Sequence, residues 1–518
     1  MFDKRTLLIA ALSFATVFGM QMFFRDSFDS SKTHSAPLAG SSYKIPTTQD
    51  LSLPAEKTIS FSAASSVENE TVVVSTSRYN ATFNTVGGTL DTLSYPEHCD
   101  VNGAPLQAIH HAENPAHASF IIGLNEEAPL AYRYESQRTL ENGDVAVCFS
   151  ARIDEWSIKK TFILHHDTYV IDLLLEFQSR VSRPAALRPR VFIAAPHLKT
   201  VARDVQNGVY FDVRKSTLYQ ATDAQRSSDA WVTPPMIGVE NSYFAHVLIA
   251  DKDGFAQRGY FTSTESSWVS AIVEGPALTD SAQFSLSYYV GPKSLPALSA
   301  VDSRLEGLLH FGWLSWFAKM IVQLLAWLYQ YVFNYGLAII VLTVLLKLVL
   351  LPFSIKSARY MEMQQRLQPY VAGLRKKYAH DTALFNTELV RLYQQHNVSP
   401  ATFLLGCLLM IPQWPIFFAM YRVLSNVIEL HQAPFFLWIT DLSVKDPYYI
   451  LPAFVVVLTF LQPFGGPQAD SRTKMMGYIM PLILSAVFVN MPAGLLLFVM
   501  TNFVVTLLEQ KARKLFIK

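Results

Sequence analysis

Cysteine is scarce: the 518 residues hold three, Cys99, Cys148 and Cys407, with no CxxC pair and no metal-ligand spacing. That excludes a zinc ribbon or a redox dithiol as the organising element. Cys99 and Cys148 have the option of pairing if that part of the chain is exported, but two unpaired thiols are the preferred reading. Cys407 sits in an apolar run, where it packs. Also missing are a GxxxxGK[ST] phosphate loop, a GxSxG nucleophile elbow and an HExxH helix, so nucleotide hydrolysis, serine acyl transfer and zinc-protease chemistry have no carrier. A dominant charge is lacking too. The 42 Lys and Arg against 41 Asp and Glu leave +1, which argues against a nucleic-acid binder held by global charge. His110-His111 with His117, and His165-His166-Asp167, are the only clusters that hint at metal or acid–base work. Without helical ligand spacing they read as surface or turn residues. No cofactor, no metal, no covalent chemistry and no direct nucleic-acid function is expected.

What is abundant is apolar residue, at 51% with mean hydropathy +0.22, and it is unevenly placed. Lys4 and Arg5 precede an apolar run from Leu7 to Phe24 that lacks an AxA-like cleavage site. Residues 1–25 are therefore expected to be an uncleaved transmembrane anchor. Residues 26–70, rich in Ser, Thr and Pro, bury too little to order themselves and read as a flexible linker. From 71 the pattern switches to period two, as in TVVVSTS (71–77), YNATFNTVGGTL (79–90), SIKKTFILHH (157–166), TYVIDLLLEF (168–177), SYFAHVLIA (242–250) and FSLSYYVG (284–291). Gly87-Gly88, Glu141-Asn142-Gly143 and Asp251–Gly254 supply the turns. Many short strands at this spacing predict an all-β sandwich domain over 71–300.

Beyond it the chain is helical. Residues 301–335 contain an amphipathic stretch with Lys319, Gln323, Gln330 and Asn334 along one stripe, suited to lying in the membrane interface. The next run, NYGLAIIVLTVLLKLVLL (334–351), is long enough to span a bilayer, yet carries Lys347 eleven residues past Gly336. At 1.5 Å per residue that is about 16 Å, roughly half of a 30 Å hydrocarbon core. A cation there costs about 2.5–3.5 kcal/mol on insertion scales, and marks a polar cavity or a partner. Pro352 is expected to end this span (336–352). Residues 353–400 then form a basic helical hairpin broken at Ala379-His380-Asp381, with helices of about 23 and 15 residues. Further spans are expected at 403–425, 448–463, 475–490 and 494–510, with loops at 426–447 and 464–474 and a basic tail at 511–518. Lys and Arg crowd the hairpin, the 464–474 loop and the tail, but only Lys445 lies in 426–447. By the positive-inside rule, six spans leave both termini cytoplasmic and the β domain outside.

Polar residues at membrane depth are Thr343, Lys347, Gln413, Thr459, Thr501, Asn502 and Thr506. Interhelical hydrogen bonding accounts for most Thr and Asn in bundles. Lys347 differs, because Glu429 and Glu509 lie only at span ends, so the cation needs water and hence a wet groove. Here the residues carry a resemblance. YVGP (289–292), FGWL (311–314), LPFSIKSARYMEMQQRLQP (351–369), PQWPIFFAMYRVL (412–424), ELHQAPFFLWITDLSVKDPYYILP (429–452) and MPAGLLLF (491–498) resemble the YidC-type membrane protein insertases. GGTLDTL (87–93) and KKTFILHHDTYVID (159–172) resemble the periplasmic domain of the Gram-negative members. The resemblance implies a polytopic α-helical inner-membrane protein, an N-terminal anchor plus a five-helix insertase bundle, with the all-β sandwich inserted. It implies insertion and folding of nascent inner-membrane proteins, alone or beside the Sec translocon, with ribosome, signal-recognition components and the lipid bilayer as partners. The hydrophilic groove is expected from Lys347, Thr343, Gln413, Thr459, Thr501 and Asn502. Client or ribosome contact is expected from Met361, Met363, Arg366, Arg375, Lys376 and Lys377 of the hairpin. The family carries an arginine where this chain has Lys347, which keeps a charge but not the planar fork. Two other classes fit parts of the pattern. A transporter or channel would use an intramembrane cation, though the bundle shows no repeat and no acidic relay. A tethered carbohydrate-binding or carbohydrate-processing domain would use the β-sandwich, though fold alone does not give function.

Overall fold

The computed structural model describes residues 70–516 except 100–102, 110–117, 125–129, 154, 183, 185, 199–204, 214, 222–229, 264–267, 396–412, 462–478 and 480–485. The expected anchor and linker, the His110-His111-His117 cluster, Cys407 and most of the 475–490 span lie outside the described residues. The chain divides into two compact units between Leu309 and His310.

The first unit is built of antiparallel strands, numbered here in chain order. β1 (Thr71–Ser75), β2 (Asn80–Asn84), β3 (Thr89–Cys99) and β4 (Pro105–Ile109) form one sheet in sequence order. A five-stranded sheet runs β13 (Ala230–Val232), β16 (Arg258–Ser263), β17 (Val269–Glu274), β10 (Arg190–Ala194), β5 (Ile121–Gly123). The largest sheet begins with β12 (Thr217–Gln220), β11 (Asn207–Asp212), β14 (Ile237–Glu240) and β15 (Phe244–Asp251). It continues through β18 (Ala282–Pro292), β9 (Val170–Ser179), β8 (Trp156–Leu164), β7 (Val145–Ile153) and β6 (Arg133–Thr139). Alternation makes these strands one-sided. Trp156, Ile158, Phe162 and Leu164 of β8 are buried, as are Ile171, Leu173, Leu175 and Phe177 of β9. The small sheet packs on the large one through Phe83 against Phe162, ring centroids 4.7 Å apart, and Tyr95 stacked on Phe244 at 4.9 Å. The expected sandwich is present, and its turns fall at the predicted glycines: Gly87, Gly88, Gly143 and Gly254 all have positive φ.

Lys160 breaks the apolar pattern of β8 while being fully buried. Its ammonium donates to the carbonyls of Gly88 (2.6 Å), Gly87 (3.4 Å) and Phe120. Three donors meet three acceptors, which offsets part of the desolvation that pushes its pKa well down. The KKTFILHH segment is thereby tied to the GGTLDTL turn. Cys99 and Cys148 are both free thiols, Cys99 exposed and Cys148 buried. The unit closes with helix α1 (Leu295–Val301), capped by Ser294, and a short 3-10 turn at Ser303–Leu309. Just before it, Lys293 and Glu240 form a buried ion pair at 2.9 Å.

The second unit holds α2 (Ser315–Val332), α3 (Tyr335–Lys377), α4 (Thr382–Gln395), α5 (Gln413–Asn426), α6 (Ile450–Phe460) and α7 (Ala493–Phe516). Among the described residues, two stretches are long and apolar enough to cross a membrane: Tyr335–Ile355, mean hydropathy 2.6, and Ala493–Arg513, mean hydropathy 1.6. α2 is amphipathic as expected. It buries Ala318, Ile321, Val322, Leu325 and Leu328, and exposes Trp316, Met320, Trp327, Tyr329 and Tyr331. One expectation fails. Pro352 does not end its helix, because α3 runs unbroken for 43 residues through Pro352 and Pro369. The break falls at Tyr378–Asp381, where Asp381 Oδ1 accepts from the amides of Ala383 (3.1 Å) and Leu384 (2.9 Å) to start α4.

Candidate functional site

The polar side chains of the helical unit sort into two kinds. Thr343, Thr459 and Thr501 are buried. Each donates its hydroxyl proton back to its own helix: Thr343 to Ile339 O (2.6 Å), Thr459 to Val455 O (2.7 Å) and Thr501 to Leu497 O (2.8 Å). Such i−4 bonds satisfy the hydroxyl locally, without a neighbouring helix. These three are brought to no common point by hydrogen bonds.

The second kind reaches across helices. Lys347, on the apolar part of α3, is partly buried and donates to Thr506 Oγ1 of α7 at 3.0 Å. Thr506 in turn donates to Asn502 O at 2.8 Å. Asn502 Oδ1 accepts from Gln413 Nε2 of α5 at 3.5 Å, the weakest link of the set. Lys347, Asn502 and Gln413 are thus connected through α7. No ion pair to Lys347 is formed among the described residues. Further along the same helix pair, Ser354 Oγ donates to Glu509 Oε2 at 2.7 Å. Thr506, Ser354 and Glu509 lie outside the set of groove residues read from sequence. Composition marks them as polar residues of two spans, but which of them meet depends on how α3 and α7 cross. Beside Lys347, Leu345, Leu348, Val349 and Phe353 of α3 are exposed, so the cation is set in an apolar surface.

At the far end of α3, Met363, Arg366, Arg375, Lys376 and Lys377 are exposed, while the Met361 side chain lies outside the described residues. The three consecutive cations at 375–377 occupy the last turn of α3 and oppose the negative end of its dipole. At the other end, Asn334 caps α3 through Leu337 N (3.1 Å) and donates to the carbonyls of Pro434 (3.2 Å) and Phe435 (3.1 Å). The loop that follows exposes Phe436, Leu437, Tyr448 and Tyr449. Asp446 holds it by accepting from Trp438 Nε1 (3.1 Å), Tyr448 N (3.0 Å) and Leu451 N (2.7 Å).

In the β unit the His165-His166-Asp167 turn is tied to its neighbours. His165 Nδ1 meets Asp144 Oδ2 at 2.8 Å and its Nε2 meets Asp172 Oδ2 at 3.1 Å. His166 donates its amide to Asp144 Oδ1 at 3.0 Å, and its Nδ1 lies 3.1 Å from the same oxygen. Asn142 adds a donor to Asp144 Oδ2 at 2.7 Å. A carboxylate with this many partners is a turn clamp.

Two family models match the chain: "YidC periplasmic domain" over residues 71–324 and "60Kd inner membrane protein" over 327–517. A membrane protein insertase YidC from Geobacter metallireducens is 30% identical over 529 residues, covering 98% of this chain and 97% of that one. One from Maridesulfovibrio salexigens is 30% identical over 541 residues, covering 98% of both. A solved structure of an active YidC insertase with its first transmembrane domain resolved aligns with TM-score 0.38 and 18% identity, over 86% of this chain and 93% of that one. Matched along its β unit and its helical unit in turn, the chain belongs to the YidC family of membrane protein insertases.

Proposed function

We propose that this chain inserts and helps fold inner-membrane proteins through a hydrophilic groove whose working charge is Lys347. The observation that carries the reading is a lysine midway along a helix apolar enough to span a bilayer, held by a hydroxyl and, among the described residues, by no carboxylate ion pair. A client's polar flank entering beside Lys347, Gln413 and Asn502 is spared part of the cost of crossing hydrocarbon. Thr343, Thr459 and Thr501 form the wall around them. The client's apolar segment then leaves sideways into lipid, driven by its own burial. The exposed Met363 and the cations Arg366, Arg375, Lys376 and Lys377, with Met361 beside them, receive the client or the ribosome on the cytoplasmic side. Family membership supports a role beside the Sec translocon, with ribosomes and signal-recognition components delivering nascent chains. The distribution of Lys and Arg supports six spans, both termini in the cytoplasm and the β unit in the periplasm.

The test is insertion of a single-span protein with an acidic exported tail into liposomes containing only this protein, read by protease protection. Wild type and Lys347→Arg should insert it and Lys347→Leu should not, whereas a neutral-tailed client should be less affected. Equal insertion by all three would remove the charge from the mechanism and leave the insertase.

A further inference from the structure

We infer that Thr506 is the positioning residue for Lys347, and that the Ser354–Glu509 bond keeps the nearest carboxylate of that helix pair from neutralising it. The inference rests on the reading of Lys347 as the groove's working charge. A threonine hydroxyl has one proton and two acceptor sites. Thr506 gives its proton to Asn502 O, so toward Lys347 it acts only as an acceptor, with its oxygen fixed by the helix that carries it. The lysine side chain is long and its ammonium a mobile point charge. A fixed acceptor 3.0 Å away sets where along α3 that charge sits. Polarisation by the bond to Asn502 strengthens the acceptor in a low-dielectric setting.

Glu509 lies three residues beyond Thr506 on α7, within reach of the same face. Left unheld, it would swing toward Lys347 and form a contact pair, and the groove would offer no net charge. Instead Ser354, seven residues beyond Lys347 on α3, takes Oε2 at 2.7 Å. Attraction falls with distance, so a carboxylate bonded to Ser354 pulls on the ammonium less than one in contact with it would. The two bonds are rungs between α3 and α7: one presents the cation, the other detains its counter-charge.

The experiment uses the full chain in liposomes with two single-span clients differing only in an acidic or a neutral exported tail, and reads the ratio of their insertion rates. Lys347→Leu should lower the acidic-to-neutral ratio. Thr506→Val should lower it by about tenfold to a hundredfold, as loss of a hydrogen bond to a charged group does, and Thr506→Ser should restore it. Ser354→Ala should lower the ratio as well, and adding Glu509→Gln should recover it, because no carboxylate remains to capture the lysine. A Thr506→Val ratio equal to wild type, or failure of serine to rescue, overturns the positioning role. A Lys347→Leu ratio equal to wild type overturns the groove-charge reading and this inference with it. A selective Lys347→Leu defect with a silent Thr506→Val overturns the positioning role alone.

Discussion

Two histidines of the β unit show how a residue's surroundings decide the sign of its response to pH. His165 is held between Asp172 and Asp144, and the hydrogen bond to Asp172 is the first of the interactions that raise its pKa above the ordinary 6.5. Its contribution to stability is complete below 6.5 and is lost as pH rises through the raised value. Asp144 and Asp172 are held below the ordinary 3.8 by the donors around them, despite burial. Their contribution is present above 3.8 and lost as pH falls through the lowered values. The clamp therefore holds from below 3.8 to above 6.5. His246 behaves oppositely. Full burial pushes it down to about 4, with Nδ1 against Ala194 O at 2.9 Å. Stability present above 6.5 is lost as pH falls toward 4, by on the order of 3 kcal/mol. Hydrogen exchange corrected for intrinsic rates should thus speed up around His246 between pH 6.5 and 4, with no change at 165–170. Asp172→Asn should move the loosening of the 165–170 turn, expected in wild type as pH rises through the raised His165 value, to lower pH, leaving Asp144 as the remaining partner. The sequence marks the His165-His166-Asp167 run as a turn, but its clamp, Asp144, belongs to another hairpin and becomes visible only with strand pairing.

At the scale of elements, Asn334 joins a helix start to a loop a hundred residues away in sequence. Asn334→Ala removes the cap of α3 and both bonds to the 434–435 carbonyls. It should cost about 1–2 kcal/mol and expose the 433–449 loop to protease, measured as faster cleavage in detergent with the rest of the chain unchanged. Strands were legible because alternation and turn glycines are local: the segments at 157–166 and 168–177 coincide closely with β8 and β9. Lys160 shows the limit, since period two puts it on the core face while its chemistry argues for solvent, and its three carbonyl partners come from distant loops. Pro352 marks a different limit. A proline inside a helix costs about 3 kcal/mol, which is a local reason to stop. The helix nevertheless continues past it to Lys377, so a proline alone does not fix where a helix stops.

At the scale of the whole molecule, the division between Leu309 and His310 separates a β unit whose clamps serve its own fold from a helical unit that carries the charges assigned to insertion. Deleting residues 71–290 should leave insertion of short clients largely intact in the liposome assay, and complete loss would move the activity to the β unit. The continuity of α3 has a mechanical meaning. Forty-three residues of helix make a rod about 65 Å long, and from Pro352 to its last turn is about 38 Å. A proline leaves one rung of the ladder unmade and so gives the rod a compliant point. A bend of about 10° there sweeps the Arg375–Lys377 tip through about 7 Å. The segment that bears Lys347 and the segment that bears Arg375–Lys377 are one continuous helix, so the compliance at Pro352, and again at Pro369, lets the basic tip swing while the apolar part of the helix stays in place.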